Sequence, residues 1–236
     1  MARPEVGSPY PDLSFPQEPS REVLERCFRM RNFSEDILRY IVERRQPQIS
    51  DLVFVLYTPK CRGKDNDVFR KIPVGRCWGK RTHFTNAFRE HGREVFAIAI
   101  CSRVFLRDGT TTHIPMIDFD CERTDESVNL IKEKLKAAGE EEGTIILTEN
   151  SFQYIGFRLM NDARWLDFLG KMFVDNLGRV DGECVERRLV DPYFIGYTLT
   201  RRVDQSGLEN YRFFGCLRLI DAWPVKKSRP TFYRLL

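Results

Sequence analysis

The chain has three histidines, His83, His91 and His113, and no C-x-x-C among its seven cysteines. That excludes a zinc finger or ribbon, which needs clustered ligands, and a thioredoxin-like redox motif. Cys77 with His83 is too thin a signal for a metal site. The cysteines are odd in number and scattered at 27, 61, 77, 101, 121, 184 and 216, which reads as reduced, mostly buried thiols in a reducing compartment. A Walker-type phosphate loop and a G-x-S-x-G nucleophile elbow are both absent. No apolar run approaches the ~18 residues a membrane span needs. The first residues carry Arg3 and prolines 4, 9, 11, 16 and 19 without an apolar signal core. These features predict a flexible or extended arm over residues 1–19 and a cytoplasmic protein with no membrane partner. There is no internal repeat and no low-complexity tract.

What is present is a folded chain of 236 residues, 42% hydrophobic with 18 Phe, long enough for a sizeable core. Its net charge of +4 is unevenly spread. Residues 60–93 hold ten basic side chains against three acidic, and residues 200–236 hold eight against three. Between them, residues 121–150 hold eight acidic against four basic. Basic segments of this kind suit phosphate backbones, although a charge run is also what a solvated face looks like.

In chain order, Ser20 caps a predicted helix over 20–30, and Ser34 begins another that runs to about Arg45 before Pro47. Together they predict an N-terminal helical hairpin over 20–50. Residues 52–57 are a continuous apolar run of strand length. Residues 58–81 read as a long basic loop with a short strand near 72–74. A short helix is expected over 84–91. Strands follow over 95–105 and 113–121, separated by an Asp108-Gly109 turn. Thr124 caps a helix that Gly139 ends. Strands over 144–148 and 152–159 flank the turn Glu149-Asn150-Ser151, and Asn161 caps the next helix. Strands are expected over 193–200, after Asp191-Pro192, and over 211–220, before a basic tail with Phe232 and Tyr233 interleaved. The succession β-β-α-β-β-α predicts an α+β fold, an antiparallel sheet with helices on one face.

The chemistry centres on His113-Ile114-Pro115-Met116-Ile117-Asp118-Phe119-Asp120-Cys121. On a strand Asp118 and Asp120 share a face, ~7 Å apart. Two carboxylates so placed repel each other, and a hard divalent cation between them removes the conflict. Read alone, the pair also fits two solvated aspartates at a strand end. Ser151 also fits a plain turn residue, and Asp191 before Pro192 a turn starter. Arg218 in an apolar strand also fits an edge position or a partner for Asp118.

In order, these residues resemble the archaeo-eukaryotic primase superfamily, and within it the small bacterial primase-like proteins, over about residues 93–220. The resemblance implies a primase-polymerase core built on a sheet like that of the RNA-recognition motif (RRM-like), within a domain over 51–236. It implies that Asp118, Asp120 and Asp191 are catalytic and hold magnesium or manganese, with Asp181 a weaker candidate for the third acid. It implies that Ser151, Gln153 and Arg218 contact a nucleoside triphosphate. Where the family motif has histidine this chain has Gln153, which can donate a hydrogen bond but carries no charge. The expected function is metal-dependent nucleotidyl transfer on DNA or RNA, weakened or lost through Gln153. The alternative is a non-catalytic nucleic-acid-binding or assembly module, with a degenerate site, in a larger protein complex. Phe152 and Tyr154 would then be stacking or packing residues.

The basic segments supply the expected nucleic-acid contacts: Lys60, Arg62, Lys64, Arg70 and Lys71 in the first, and Lys226, Lys227 and Arg229 in the second. Neutralising Lys60, Arg62 and Lys64 together, or Lys226, Lys227 and Arg229 together, should weaken nucleic-acid binding. Each triple change should flatten the salt dependence by up to about three units, one for each phosphate no longer neutralised. Binding measured against salt concentration checks this, and unchanged curves for both variants would reduce the two runs to solvated faces.

Overall fold

A computed structural model describes residues 34–57, 68–77, 97–174, 177–180, 183–186, 189–200, 202–203, 211–212, 215–218 and 231–236. The fold is mixed α+β with antiparallel sheets. Of the expected N-terminal hairpin, the second helix is α1 (Ser34–Tyr40), prolonged by a π-helical turn over Ile41–Arg45. Its first helix, the arm and the expected helix over 84–91 lie outside the described residues.

The first sheet is built around β3 (Ala97–Leu106). β1 (Ile49–Tyr57) pairs along one edge of it, with β2 (Val68–Pro73) beyond. On the other edge β12 (Cys216–Arg218) takes the first half of β3 and β4 (Thr111–His113) the second. The β3–β4 turn forms where the Asp108-Gly109 signal predicts it. Gly109 has φ +85°, and the Asp108 carboxylate accepts from the Thr110 amide at 2.9 Å and hydroxyl at 2.7 Å. Those bonds hold the Asp108 carboxyl below its usual range.

The single strand expected over 113–121 is two strands in two sheets. After β4 the chain leaves the first sheet at Ile114-Pro115, and β5 (Met116–Asp118) becomes the edge of a second. Proline has no N–H for a ladder. Ile114 still donates to Ser102 O at 2.7 Å, while Pro115 offers only its carbonyl, which accepts from Gly156 N at 2.8 Å in the second sheet. That sheet has the order β13-β6-β7-β5, with β6 Gly143–Leu147, β7 Phe152–Gly156 and β13 Thr231–Leu235. The chain end expected as a basic tail therefore includes a sheet strand. Tyr233 packs edge-on against Phe152 at 5.4 Å, and its hydroxyl donates to Asp125 Oδ1 at 3.2 Å. The loop expected over 58–81 likewise contains β2 and a helical turn, α2 (Val74–Cys77).

Helix α3 (Asp125–Ala137) starts and stops where its signals lie. Thr124 Oγ1 accepts from Ser127 N at 3.1 Å, and Gly139 leaves the helix at φ +85°. Asn161 caps α4 (Asp162–Val174) by accepting from Arg164 N at 2.9 Å. The strand expected over 193–200 is a helix, α5 (Pro192–Thr200). Aromatic and β-branched residues fill that stretch, so strand propensity points the wrong way. Burial of Phe194, Ile195 and Thr198 on one helical face overrides it. The strand expected over 211–220 is divided. β11 (Tyr211–Arg212) pairs with β10 (Arg202–Val203), and β12 joins the first sheet. A further hairpin joins β8 (Leu177–Val180) to β9 (Glu183–Glu186).

The larger of two buried apolar clusters holds Leu52, Ile100, Ile117, Ile131, Phe168 and Trp165, and the smaller holds Val53, Val55, Phe69, Ala99, Cys101 and Phe105. Tyr154 is sealed in the larger cluster. Its hydroxyl donates to Glu140 Oε2 and Glu142 O, each at 3.0 Å, and burial pushes the Glu140 carboxyl up. A Cβ at Gly143 would overlap the Tyr154 ring, so that strand needs glycine.

The buried His113 closes the corner where the sheets part. Ser102 Oγ accepts from Gly215 N at 3.0 Å and lies 3.1 Å from His113 Nδ1. His113 Nε2–H then donates to Asp162 Oδ1 at 3.1 Å, and the ring stacks on Trp165 at 5.3 Å. Arg103 holds the other Asp162 oxygen at 3.1 Å and Thr111 Oγ1 at 2.8 Å. Burial and then Arg103 push the imidazole down to about 3, against the pull of Asp162. The folded state thus keeps His113 neutral while the unfolded chain protonates it near 6.5. Stability is lost as pH falls from about 6.5 towards 3. Between pH 7 and pH 5 this group should remove about 2 kcal/mol. Urea unfolding at the two pH values should show that loss in wild type and a smaller one in His113→Gln, which is less stable at pH 7.

Candidate nucleotide and metal site

Asp118 ends β5, with strand β7 on one side and an isolated bridge to the Leu189–Asp191 segment on the other. On one side it is opposite Gln153 of β7. On the other, Phe119 bridges Val190 in an antiparallel pair, Asp191 N donates to Asp118 O at 3.0 Å, and Asp120 N donates to Leu189 O at 3.0 Å. The residue before Phe119 is therefore opposite the residue after Val190, which sets Asp118 beside Asp191. Directly opposed positions share a face of the sheet. Gln153, Asp118 and Asp191 thus form one row across three segments, with Asp120 two residues further along. Gln153 is buried, Asp118 and Asp191 are half-buried and Asp120 is exposed.

Ser151 is buried beside this row. Its Oγ accepts from Cys121 N at 3.0 Å, and its own N donates to Thr148 Oγ1 at 3.1 Å. The hydroxyl therefore fixes the backbone just after Asp120. Cys121 Sγ lies 3.6 Å from the same oxygen, and burial pushes that thiol up. Gln153 Oε1 is buried and has no hydrogen-bond partner among the described residues. An unpaired buried amide oxygen is costly, and a ligand that used it would recover that cost.

Asp191 differs from the sequence expectation in its setting. It precedes a helix, and its Oδ1 accepts from Tyr193 N at 2.9 Å as an N-cap. Asp followed by Pro at the first helical position is a start signal readable in the sequence. Arg218 belongs to β12, opposite Ala99, and that strand runs beside β5. Its side chain lies outside the described part, as do Asp181, Lys60, Arg62, Lys64, Lys226, Lys227 and Arg229. Arg70 and Lys71 lie on β2, at the edge of the first sheet away from β12 and β4. Lys71 Nζ is 3.7 Å from Asp51 Oδ2 and 3.7 Å above the Phe105 ring; Arg70 Nη1 donates to Phe69 O at 3.0 Å. Both are engaged with their own sheet.

The donor set of the row suits a hard divalent cation, which takes carboxylate and amide oxygens. The unpartnered Gln153 oxygen fits that chemistry as a fourth oxygen donor. Among the described residues, however, no three His, Cys, Asp or Glu side chains are gathered into metal-holding geometry. The segment Leu189-Val190 and the Ser151–Cys121 bond were missed by sequence reasoning. Neither carries a motif, and both act through backbone groups.

The sequence matches the family described as AEP-like, archaeo-eukaryotic primase 1D-like, over residues 80–206, just over half of the chain. The chain belongs to that family. The match contains Asp118, Asp120, Ser151, Gln153 and Asp191. No curated protein and no solved structure matches it. Among the described residues no helix is long and apolar enough to cross a membrane.

The cap and the charge of Asp191 are separable. Asp191→Ala should cost ~0.5–2 kcal/mol through the lost cap, whereas Asp191→Asn should keep the cap and most of the stability. Chemical unfolding without added metal checks this, and equal losses in both variants would show that the carboxylate charge itself supports the fold.

Proposed function

We propose that this chain is a primase-polymerase-like protein that binds a divalent cation and a nucleoside triphosphate at the row formed by Gln153, Asp118 and Asp191. The observation that carries the reading is the antiparallel bridge at Phe119 and Val190, which brings Asp191 beside Asp118 from a segment over 70 residues away in sequence. Family membership supports nucleic acid and nucleotides as its partners in general terms. Asp118, Asp120 and Asp191 would hold magnesium or manganese, which when bound lowers the pKa of a 3′-hydroxyl and neutralises triphosphate charge. Ser151 would keep Asp120 in register through Cys121 N and turn its own proton towards phosphate. Gln153 would donate to phosphate or offer Oε1 to the cation, and Arg218 would supply positive charge. The RRM-like arrangement of the core, over about 93–220 within a domain 51–236, is part of this proposal, as is the basic nucleic-acid path along the 60–64 and 226–229 segments.

Primer synthesis is expected to be weak, because an uncharged Gln153 gives phosphate less than a charge-assisted donor does. That same substitution favours a second reading, a nucleic-acid-binding or assembly module without turnover. A manganese titration followed by thermal unfolding separates the site from its absence. Wild type should be stabilised by mass action, and the Asp118→Asn/Asp120→Asn double variant should lose the shift. Equal shifts in both would remove the metal assignment. Gln153→His should tighten binding of a labelled nucleoside triphosphate, most visibly below pH ~6.5, where an ordinary imidazole is charged. Arg218→Ala should weaken it. No nucleotide binding by any of these proteins, with metal present, would favour the module.

A further inference from the structure

Cys101 on β3 and Cys216 on β12 are directly opposed, and their sulfurs are 3.3 Å apart. Neither is in a disulfide. The neighbouring pair, Ser102 and Gly215, is hydrogen-bonded through Ser102 N to Gly215 O at 2.7 Å. Alternation along an antiparallel ladder therefore makes Cys101 and Cys216 a non-hydrogen-bonded pair, the closer of the two kinds, with Cα atoms ~4.5 Å apart. A disulfide spans that separation, so the sulfurs need only approach to bonding distance and the strands keep their register. Exposure is asymmetric: Cys101 is buried, and Cys216 is partly open.

We propose that Cys101 and Cys216 form a dithiol oxidation site that closes to a cross-strand disulfide with a disulfide oxidant. With glutathione disulfide as oxidant, Cys216 thiolate attacks one of its sulfurs, forming a mixed disulfide and releasing one glutathione. Cys101 thiolate then attacks the Cys216 sulfur and expels the second glutathione. Two thiols are oxidised, one glutathione disulfide is reduced to two glutathiones, and the two protons go to the leaving thiolates. Cys216 reacts first because it alone of the pair meets solvent, and Cys101 resolves because it is already in contact. The closed link encloses the whole segment that carries Asp118, Ser151, Gln153 and Asp191, and it ties the edge strand β12 to the central strand of its sheet. This inference rests on strand register and sulfur geometry, and stands independently of the function proposed above.

The test treats the folded, reduced, full-length protein with glutathione disulfide, blocks remaining thiols by alkylation, and maps the digest by mass spectrometry. Expected are a peptide linked through Cys101 and Cys216, lighter by two hydrogen atoms than its reduced parts, and its disappearance on adding dithiothreitol. Cys101→Ser should stop at glutathione bound to Cys216. Cys216→Ser should leave Cys101 unmodified in the folded protein. Full alkylation of both cysteines in oxidant-treated wild type would overturn the proposal. So would glutathione retained on Cys216, or Cys216 linked to another cysteine. Glutathione on Cys101 in folded Cys216→Ser would overturn the order of attack.

Discussion

The antiparallel bridge between Phe119 and Val190 is the interaction on which the candidate site depends. It rests on two backbone hydrogen bonds of 3.0 Å, Asp191 N to Asp118 O and Asp120 N to Leu189 O. Without it β5 would pair only with β7, where Asp118 is opposite Gln153. With it, three polar side chains from three separate stretches share one sheet face. Two of those chains are carboxylates, and main-chain bonds together with the buried Phe119 and Val190 hold their backbone positions side by side.

The second constraint is the corner at Ile114-Pro115, where the chain passes from one sheet to the other. Proline supplies the break, and the surrounding backbone groups find partners across it: Ile114 N on Ser102 O, Pro115 O on Gly156 N, and His113 N on Met160 O. The Ser102–His113–Asp162 chain then braces the corner. It has the residue types of a hydrolytic triad, but Ser102 and His113 are both fully buried and the serine oxygen already serves Gly215 N. The arrangement therefore joins β3, β4, α4 and the start of β12, and offers no nucleophile to solvent.

Local signals were read with most success where they are short-range and steric. The Asp108-Gly109 turn, the Thr124 and Asn161 caps and the Gly139 stop all lie where the residues place them, because each depends on a few neighbouring backbone groups. The segment at 193–200 failed for the opposite reason. Its aromatic and β-branched residues favour a strand, yet Asp191 caps and Pro192 pre-forms a helix that buries Phe194, Ile195 and Thr198. The Asp191-Pro192 pair is the local sequence signal for that helix start.

The sequence by itself determined the mixed α+β class, the Asp108-Gly109 turn, the ends of α3 and the start of α4, since each is encoded within a few residues by periodicity, capping or glycine. It also carries the match to the family over residues 80–206. Tertiary structure alone decided that the strand over 113–121 would split between two sheets, and that Asp191 would sit beside Asp118. It also spent the Ser151 hydroxyl on Cys121 N and opposed Cys101 to Cys216. Each of those outcomes joins residues far apart in the chain through backbone pairing, and a backbone N–H or C=O is the same in every residue but proline, so it leaves almost no trace in the side chains.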